Sequence, residues 1–155
     1  MGNKIRPTSL RLGITQEWIS SLFPKRMNFK NHLEEDVILR RIIHEKIGSA
    51  GIDKIVIERT DNKYRIMIKA SRPGLIIGRG GKGIEDLTKL LEKKLKIMRE
   101  KRGNASPIAL SVNIEELKRT EVSANVTAQT IAWDIEKRMP FRRTIKKYLE
   151  QMLQN

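Results

Sequence analysis

The residues best placed to do chemistry are the glycines and cations of Ile77-Gly78-Arg79-Gly80-Gly81-Lys82-Gly83. A phosphate-cradling Walker loop needs Ser or Thr after Gly-Lys, whereas Gly81-Lys82 is followed by Gly83, so nucleoside triphosphate chemistry loses its main support. Gly78, Gly80 and Gly83 do fit the dinucleotide spacing G-x-G-x-x-G. That fingerprint should follow a parallel strand directly, yet Pro73 intervenes, Glu100 near the expected acidic position sits among lysines, and no second mononucleotide half follows. The third reading is a G-x-x-G turn, Gly78-Arg79-Gly80-Gly81. Backbone without Cβ can lie against a sugar-phosphate chain, and the helix that follows offers unpaired N–H groups to a phosphate. Arg79 and Lys82 add charge where the phosphates would run. The same glycines also fit a tight helix-to-helix turn that binds nothing.

A second cationic group lies near the end of the chain. Six basic residues and no acid stand between Lys137 and Lys147, and Arg142, Arg143, Lys146 and Lys147 cluster opposite an apolar row of Phe141, Ile145, Leu149 and Met152. Such a face can lie along phosphates, stand in solvent, or rest on an anionic membrane. The apolar row reads as core, having only Phe141 as an aromatic membrane anchor.

Other chemistry is poorly supplied. The chain has no cysteine, which excludes disulfides, thiolate metal sites and cysteine nucleophiles. His32 and His44 lie apart, with no third ligand at metal-like spacing, and read as surface or helix-packing residues. Glu34-Glu35-Asp36 reads as acidic bias at a helix start, and Glu115-Glu116 as a solvated turn. No apolar run approaches the roughly 18 residues of a membrane span, and a soluble, intracellular protein is expected. Across 155 residues, 32 Lys and Arg face 18 Asp and Glu, giving a formal net charge of +14, a field that draws polyanions. The hydrophobic fraction of 39% suffices for a core.

The elements that must hold these groups follow from periodicity. From Asp36, a good N-cap, Val37, Ile38, Ile42, Ile43 and Ile47 recur at helical spacing until Gly48 and Gly51. Ile55-Val56-Ile57 and the alternating run Tyr64 to Ala70 predict a hairpin turning at Asp61-Asn62. Ile84, Leu87, Leu91, Leu95 and Met98 mark a long helix ended by Gly103-Asn104. Ile108, Leu110, Val112 and Ile114 predict a third strand with one buried face, and helix resumes from about Glu121 with a break near Pro140. Residues 36 to 115 thus read as one α+β layer, preceded by a basic extension in which Lys4, Arg6, Arg11, Lys25, Arg26 and Lys30 stand among turn formers.

Helix, strand, strand, G-x-x-G turn, helix, strand is the design by which KH modules clamp about four nucleotides of single-stranded nucleic acid. Four blocks sharpen the likeness: Gly2-Asn3-Lys4-Ile5-Arg6-Pro7 with Leu10 to Ile14; Ile55-Val56-Ile57-Glu58-Arg59; Ala70 through Gly81; and Glu136-Lys137-Arg138 with Phe141-Arg142-Arg143. In these the chain resembles the bacterial and organellar family of small-subunit ribosomal protein number three. The resemblance implies a type II KH domain, with a three-stranded sheet carrying helices on one face, over residues 31–117. A basic extension bound to ribosomal RNA would occupy residues 1–30, and a basic helical segment residues 118–155. It implies RNA binding through Lys4, Arg6, Arg11, Arg72, Gly78, Arg79, Gly80, Gly81, Lys82, Arg142, Arg143, Lys146 and Lys147, with Arg142, Arg143 and Lys146 at the channel through which messenger RNA enters. Expected partners are small-subunit ribosomal RNA, messenger RNA and the neighbouring head proteins numbers ten and fourteen. No membrane, cofactor, metal or catalytic residue is expected, and the location is a cytoplasmic ribosome or, alternatively, a mitochondrial or plastid one. The family continues into a second α/β domain that these 155 residues do not contain, and the segment 93–106 is longer and more basic than usual there. Two competing readings are a free KH-domain RNA chaperone or regulator and a nucleotide-dependent enzyme.

Overall fold

A computed structural model of the chain describes residues 4–22, 24, 28–60, 63–103, 107–118 and 123–154. The expected turn at Asp61-Asn62, the helix start at Glu121, and Gly2, Asn3, Lys25, Arg26 and Asn104 lie outside the described residues. The elements are α1 (Pro7–Arg11), β1 (Ser20–Ser21), α2 (Phe29–Ile47), β2 (Ile52–Thr60), β3 (Lys63–Ala70), α3 (Pro73–Ile77), α4 (Lys82–Glu100), β4 (Ala109–Glu116), α5 (Ala124–Glu136) and α6 (Phe141–Gln154).

Strands β2 and β3 form the antiparallel hairpin, with Ile57 opposite Ile66 and Ile55 opposite Ile68, and β4 runs parallel to β3, setting Val112 beside Ile66. Alternation then places every second side chain on one face. Ile55, Ile57, Ile66 and Ile68 of the sheet bury against Leu39, Ile42 and Ile43 of α2, Ile76 of α3, and Leu87, Leu91 and Leu95 of α4. The apolar side chains of β4, Leu110, Val112 and Ile114, are only half-buried because β4 is an edge strand. Glu115 and Glu116 close β4, in register with Lys69 and Ala70, and form no separate turn.

The sheet has four strands instead of the expected three, in the order β1-β2-β3-β4. The added edge is two residues of the N-terminal extension, Ser20 and Ser21, running parallel to Ile57 and Glu58. Side chains of α2 hold it. Arg40 donates to the carbonyls of Ile19 (2.9 Å) and Ile55 (2.6 Å) and to Ser20 Oγ (2.8 Å), and Ser20 Oγ donates to Asp36 (2.6 Å). Nothing in a local reading of Ser20-Ser21 signals a strand.

Helix α2 begins seven residues before the expected cap. Asp36 is therefore buried in mid-helix, and neighbouring Glu35 is not part of a helix-start bias but the centre of a buried ion cluster. One Glu35 oxygen accepts from Arg59 (2.6 Å) and the Tyr64 hydroxyl (2.5 Å); the other accepts from Arg102 (2.9 Å) and pairs with Arg99 (3.7 Å). Arg99 also donates to Tyr64 Oη (2.9 Å), and Arg102 reaches Glu34 (2.5 Å). The cluster ties α2 to β2, β3 and the end of α4. Two arginines of the basic stretch after Lys93 are thus consumed inside the molecule, so that stretch presents less free charge than its sequence suggests.

Between α3 and α4 the chain turns through a short 3-10 segment, Arg79–Gly81. Gly78, Gly80 and Gly81 have φ of +68°, +63° and +82°, the left-handed region that L side chains avoid. Gly83 answers a different need. A Cβ there would overlap the carbonyl oxygen of Ile76 and touch that of Ile77, so its absence lets the first turn of α4 sit on α3.

Two outcomes follow. Burial raises the proton affinity of Glu35, but the Tyr64 hydrogen bond and the Arg59 and Arg99 charges outweigh it, holding its pKa below the ordinary 4.5. A depressed carboxylate contributes stability that is complete above about pH 4.5 and fades as pH falls through the folded pKa. In urea titrations Glu35→Ala, which removes the carboxylate shared by Arg59, Arg99 and Arg102, should lose about 3–5 kcal/mol at neutral pH, and the gap to wild type should narrow in acid; a gap independent of pH would refute the assignment. For the loop, Gly83→Ala should cost up to about 3 kcal/mol through overlap and Gly80→Ala about 1 kcal/mol through backbone strain. Thermal unfolding that ranks them the other way would show that Gly83 is not the packing contact.

Candidate nucleic-acid interface

The glycine loop is built by its flanks. Pro73 starts α3, whose fourth residue Ile76 is buried while Leu75 and Ile77 stay exposed, and Gly78 ends the helix with its N–H donating to the Gly74 carbonyl (3.0 Å). Gly81 caps α4 in a left-handed conformation, without a side-chain oxygen to occupy the first N–H groups of that helix. The first of them, that of Lys82, already donates to the Arg79 carbonyl. Gly80 and Gly81 have open space where a Cβ would stand, and Arg79, Gly80 and Lys82 are exposed. A loop between two helices is not the strand-to-helix junction that a dinucleotide fold requires, which removes the G-x-G-x-x-G reading on geometry.

The other predicted residues fall in three places. Lys4, Arg6 and Arg11 are exposed on and before α1. Arg72 is exposed at the N-cap of α3. Arg142, Arg143, Lys146 and Lys147 are exposed on α6. At about 100° per residue, Arg142, Lys146, Arg143 and Lys147 follow one another around one side of α6, with Lys147 at the edge over the Tyr148 ring at 5.6 Å. None of Arg79, Lys82, Arg142, Arg143 and Lys146 pairs with a carboxylate among the described residues.

Helix α6 is placed by α5. Ser123 caps α5 by accepting from the Val126 N–H (3.3 Å), and its hydroxyl binds the Asp53 carboxylate of β2. The Tyr148 hydroxyl donates to Asp134 of α5 (2.8 Å), and Thr144 is buried beside it. That hydrogen bond, then burial, raises the Tyr148 pKa, while the Arg72 charge lowers it. The packing meridian of α6 is Thr144, Tyr148 and Met152. The predicted apolar row is consequently not core: Phe141, Ile145 and Leu149 are exposed, as is Leu153.

Sequence reasoning missed the Glu35 cluster altogether. The available signal was weak: a Glu at helical spacing from Leu39 and Ile42, together with arginines outnumbering any visible need. His32 is half-buried near that cluster, where burial and then the Arg59 charge lower its pKa; His44 is exposed.

Residues 38–122 match the KH domain family. Over 99% of its length the chain is 40% identical to small ribosomal subunit protein uS3 of Caldanaerobacter subterraneus subsp. tengcongensis, covering 64% of that protein. It is 39% identical to uS3 of a Synechococcus strain, over 97% of this chain and 59% of the relative, and 37% identical to uS3 of Helicobacter pylori, over 100% and 62%. The chain thus spans somewhat less than two thirds of the length of these relatives. A glycine turn between two helices packed on one face of a mixed sheet, matched over residues 38–122, makes the chain a member of the KH domain family, similar along nearly all its length to bacterial small ribosomal subunit protein uS3.

Proposed function

We propose that the chain is a structural, RNA-binding constituent of the head of the small ribosomal subunit. One observation carries this reading: the cations beside the glycine turn and on α6 are exposed and unpaired, while Arg40, Arg59, Arg99 and Arg102 are bound internally. A fold that neutralises its structural arginines and leaves the others bare has charge left for a polyanion. The loop would hold phosphates through Arg79, Lys82 and the backbone of Gly80 and Gly81. Exposed Leu75 and Ile77, with the half-buried apolar side chains of edge strand β4, offer surface to unstacked bases.

Lys4, Arg6 and Arg11 would bind ribosomal RNA through the extension, and Arg72 would add charge at the flank of the loop. Arg142, Arg143 and Lys146 would contact messenger RNA near its point of entry to the subunit, and Lys147 would extend the same basic side of α6. Neighbouring head proteins, numbers ten and fourteen, would complete the surroundings in a cytoplasmic ribosome. The role is binding, with no bond-breaking step.

The chain should cosediment with small subunits through a low-salt wash. In binding titrations with single-stranded RNA, the triple change Arg142→Gln, Arg143→Gln, Lys146→Gln should flatten the slope of log K against log salt by about 2, at roughly 0.7 per lost phosphate contact. An unchanged slope would remove α6 from the interface, and a wild-type protein that ignores RNA in dilute buffer would overturn the whole reading.

A further inference from the structure

The N-terminal extension carries three of the cations assigned to RNA, yet it has almost no hydrophobic hold on the rest of the molecule. From Lys4 to Ile19 every residue except half-buried Leu12 is exposed, and no residue of α1 is buried. A terminal segment stays in place only when something ties it down, and burial of apolar surface does not supply the tie here. Polar bonds around β1 do.

Those bonds converge on Arg40 of α2. Ile19 and Ile55 turn carbonyls toward the gap between the extension and β2, and the Arg40 guanidinium donates to both, at 2.9 and 2.6 Å. It also donates to Ser20 Oγ (2.8 Å), whose own proton goes to Asp36 (2.6 Å), and its Nε pairs with Asp36 (3.5 Å). The Ile57 N–H joins the Ile19 carbonyl (3.0 Å), opening the short ladder in which Ser20 and Ser21 lie beside Ile57 and Glu58. A planar fork with donors on three nitrogens can satisfy α2, β2 and the extension together, which a single ammonium cannot.

From this anchor the chain passes through Glu17 and Trp18 and then closes on itself. The Arg11 carbonyl accepts the N–H groups of Ile14 (3.2 Å), Thr15 (3.1 Å) and Gln16 (3.1 Å), and the Gly13 N–H donates to the Gln16 carbonyl (2.9 Å). That turn leads directly into α1, with Arg11 as its last residue and Arg6 at its N-cap. While Ile19 is held, Arg6 and Arg11 ride on a short, internally bonded arm. Once it is free, the same cations sweep a large volume and RNA must order them at the moment of binding.

We infer that Arg40 is a positioning residue for RNA binding: by clamping Ile19 and Ser20 to β2 it orders the extension in advance, so that Lys4, Arg6 and Arg11 meet phosphates without first having to be immobilised. Arg40 acts from inside the protein, its three nitrogens being engaged there. The inference rests on the RNA-binding reading and specifies how one group of contacts is presented.

Binding of the whole 155-residue chain to bacterial small-subunit ribosomal RNA tests this through a double-mutant cycle. Arg40→Gln should weaken binding about tenfold, the factor that ordering about one further backbone residue costs, and the triple change Lys4→Gln, Arg6→Gln, Arg11→Gln should weaken it in its own right. Combined, they should bind no worse than the triple variant. Ser20→Val, which lies within the extension and removes the hydroxyl shared by Arg40 and Asp36, should act in the same direction, so the test stands even where Arg40→Gln folds poorly. A staple separates positioning from general destabilisation. The chain has no cysteine, and Ser21 lies beside Glu58 in the ladder, at a strand spacing that a disulfide can bridge. With Ser21→Cys and Glu58→Cys oxidised, the Arg40→Gln protein should regain wild-type affinity and lose it again on reduction. Equal losses from Arg40→Gln with and without the three extension cations, no loss from either Arg40→Gln or Ser20→Val, a triple variant that binds as wild type does, or a stapled Arg40→Gln protein that stays weak would each overturn the inference alone. A wild-type chain that leaves the RNA unbound in dilute buffer would instead sink the RNA reading beneath it.

Discussion

One buried carboxylate organises the molecule. Glu35, 2% exposed, can lie inside only because Arg59, Arg102, Arg99 and the Tyr64 hydroxyl surround it, and these come from β2, β3, the end of α4 and the residues just after it. Removing water from one charge demands partners at close range, and the partners fix how the elements approach. Tyr64 shares the constraint. Burial, then its hydrogen bond to Glu35, pushes its pKa up to about 12, so it remains a donor at any physiological pH. The helices that bear the glycine turn are located through this arrangement, because α4 is clamped at its far end by Arg99 and Arg102 and at its near end by the contact of Gly83 on α3.

The cluster also divides the cations into two populations. An arginine inside the Glu35 network or on the Asp36 carboxylate has spent its hydrogen bonds on the fold. An arginine on the loop or on α6 has not. Net charge cannot express this difference, since both kinds count equally toward +14. Position relative to buried carboxylates decides it, and that is a property of tertiary structure.

This explains which features were legible in the chain. The glycine turn was readable because the glycines stand at positions of positive φ that no other residue occupies cheaply, and Lys82 begins a helix of strong 3.6-residue periodicity. Strand β3 announced itself through strict alternation, and β2 through the apolar run Ile55-Val56-Ile57. By contrast, α2 was misjudged at its start: Phe29 and Leu33 turn outward, while Glu35 and Asp36 turn inward, which inverts the hydrophobic signal over that turn. Strand β1 was invisible, being two serines recruited by Arg40 from a distant element. The apolar row of α6 was real but its burial was not, because α5 packs on the adjacent meridian of Thr144 and Tyr148. Periodicity reports that a helix has a greasy side; it does not report whether anything is there to meet it.

That uncovered row on α6 bears on how the polypeptide behaves in the test tube. Phe141, Ile145, Leu149 and Leu153 form a ridge of bare hydrocarbon, with Leu153 87% exposed, on a protein whose surplus of positive charge drives copies apart. Mutual repulsion guards the ridge in dilute salt. At about 0.1 M ionic strength the screening length shrinks to roughly 10 Å, and the guard weakens just as nucleic acid is also being stripped away. A brine wash intended to yield clean protein is therefore the condition under which molecules stick to one another, and turbidity should rise with added salt instead of falling.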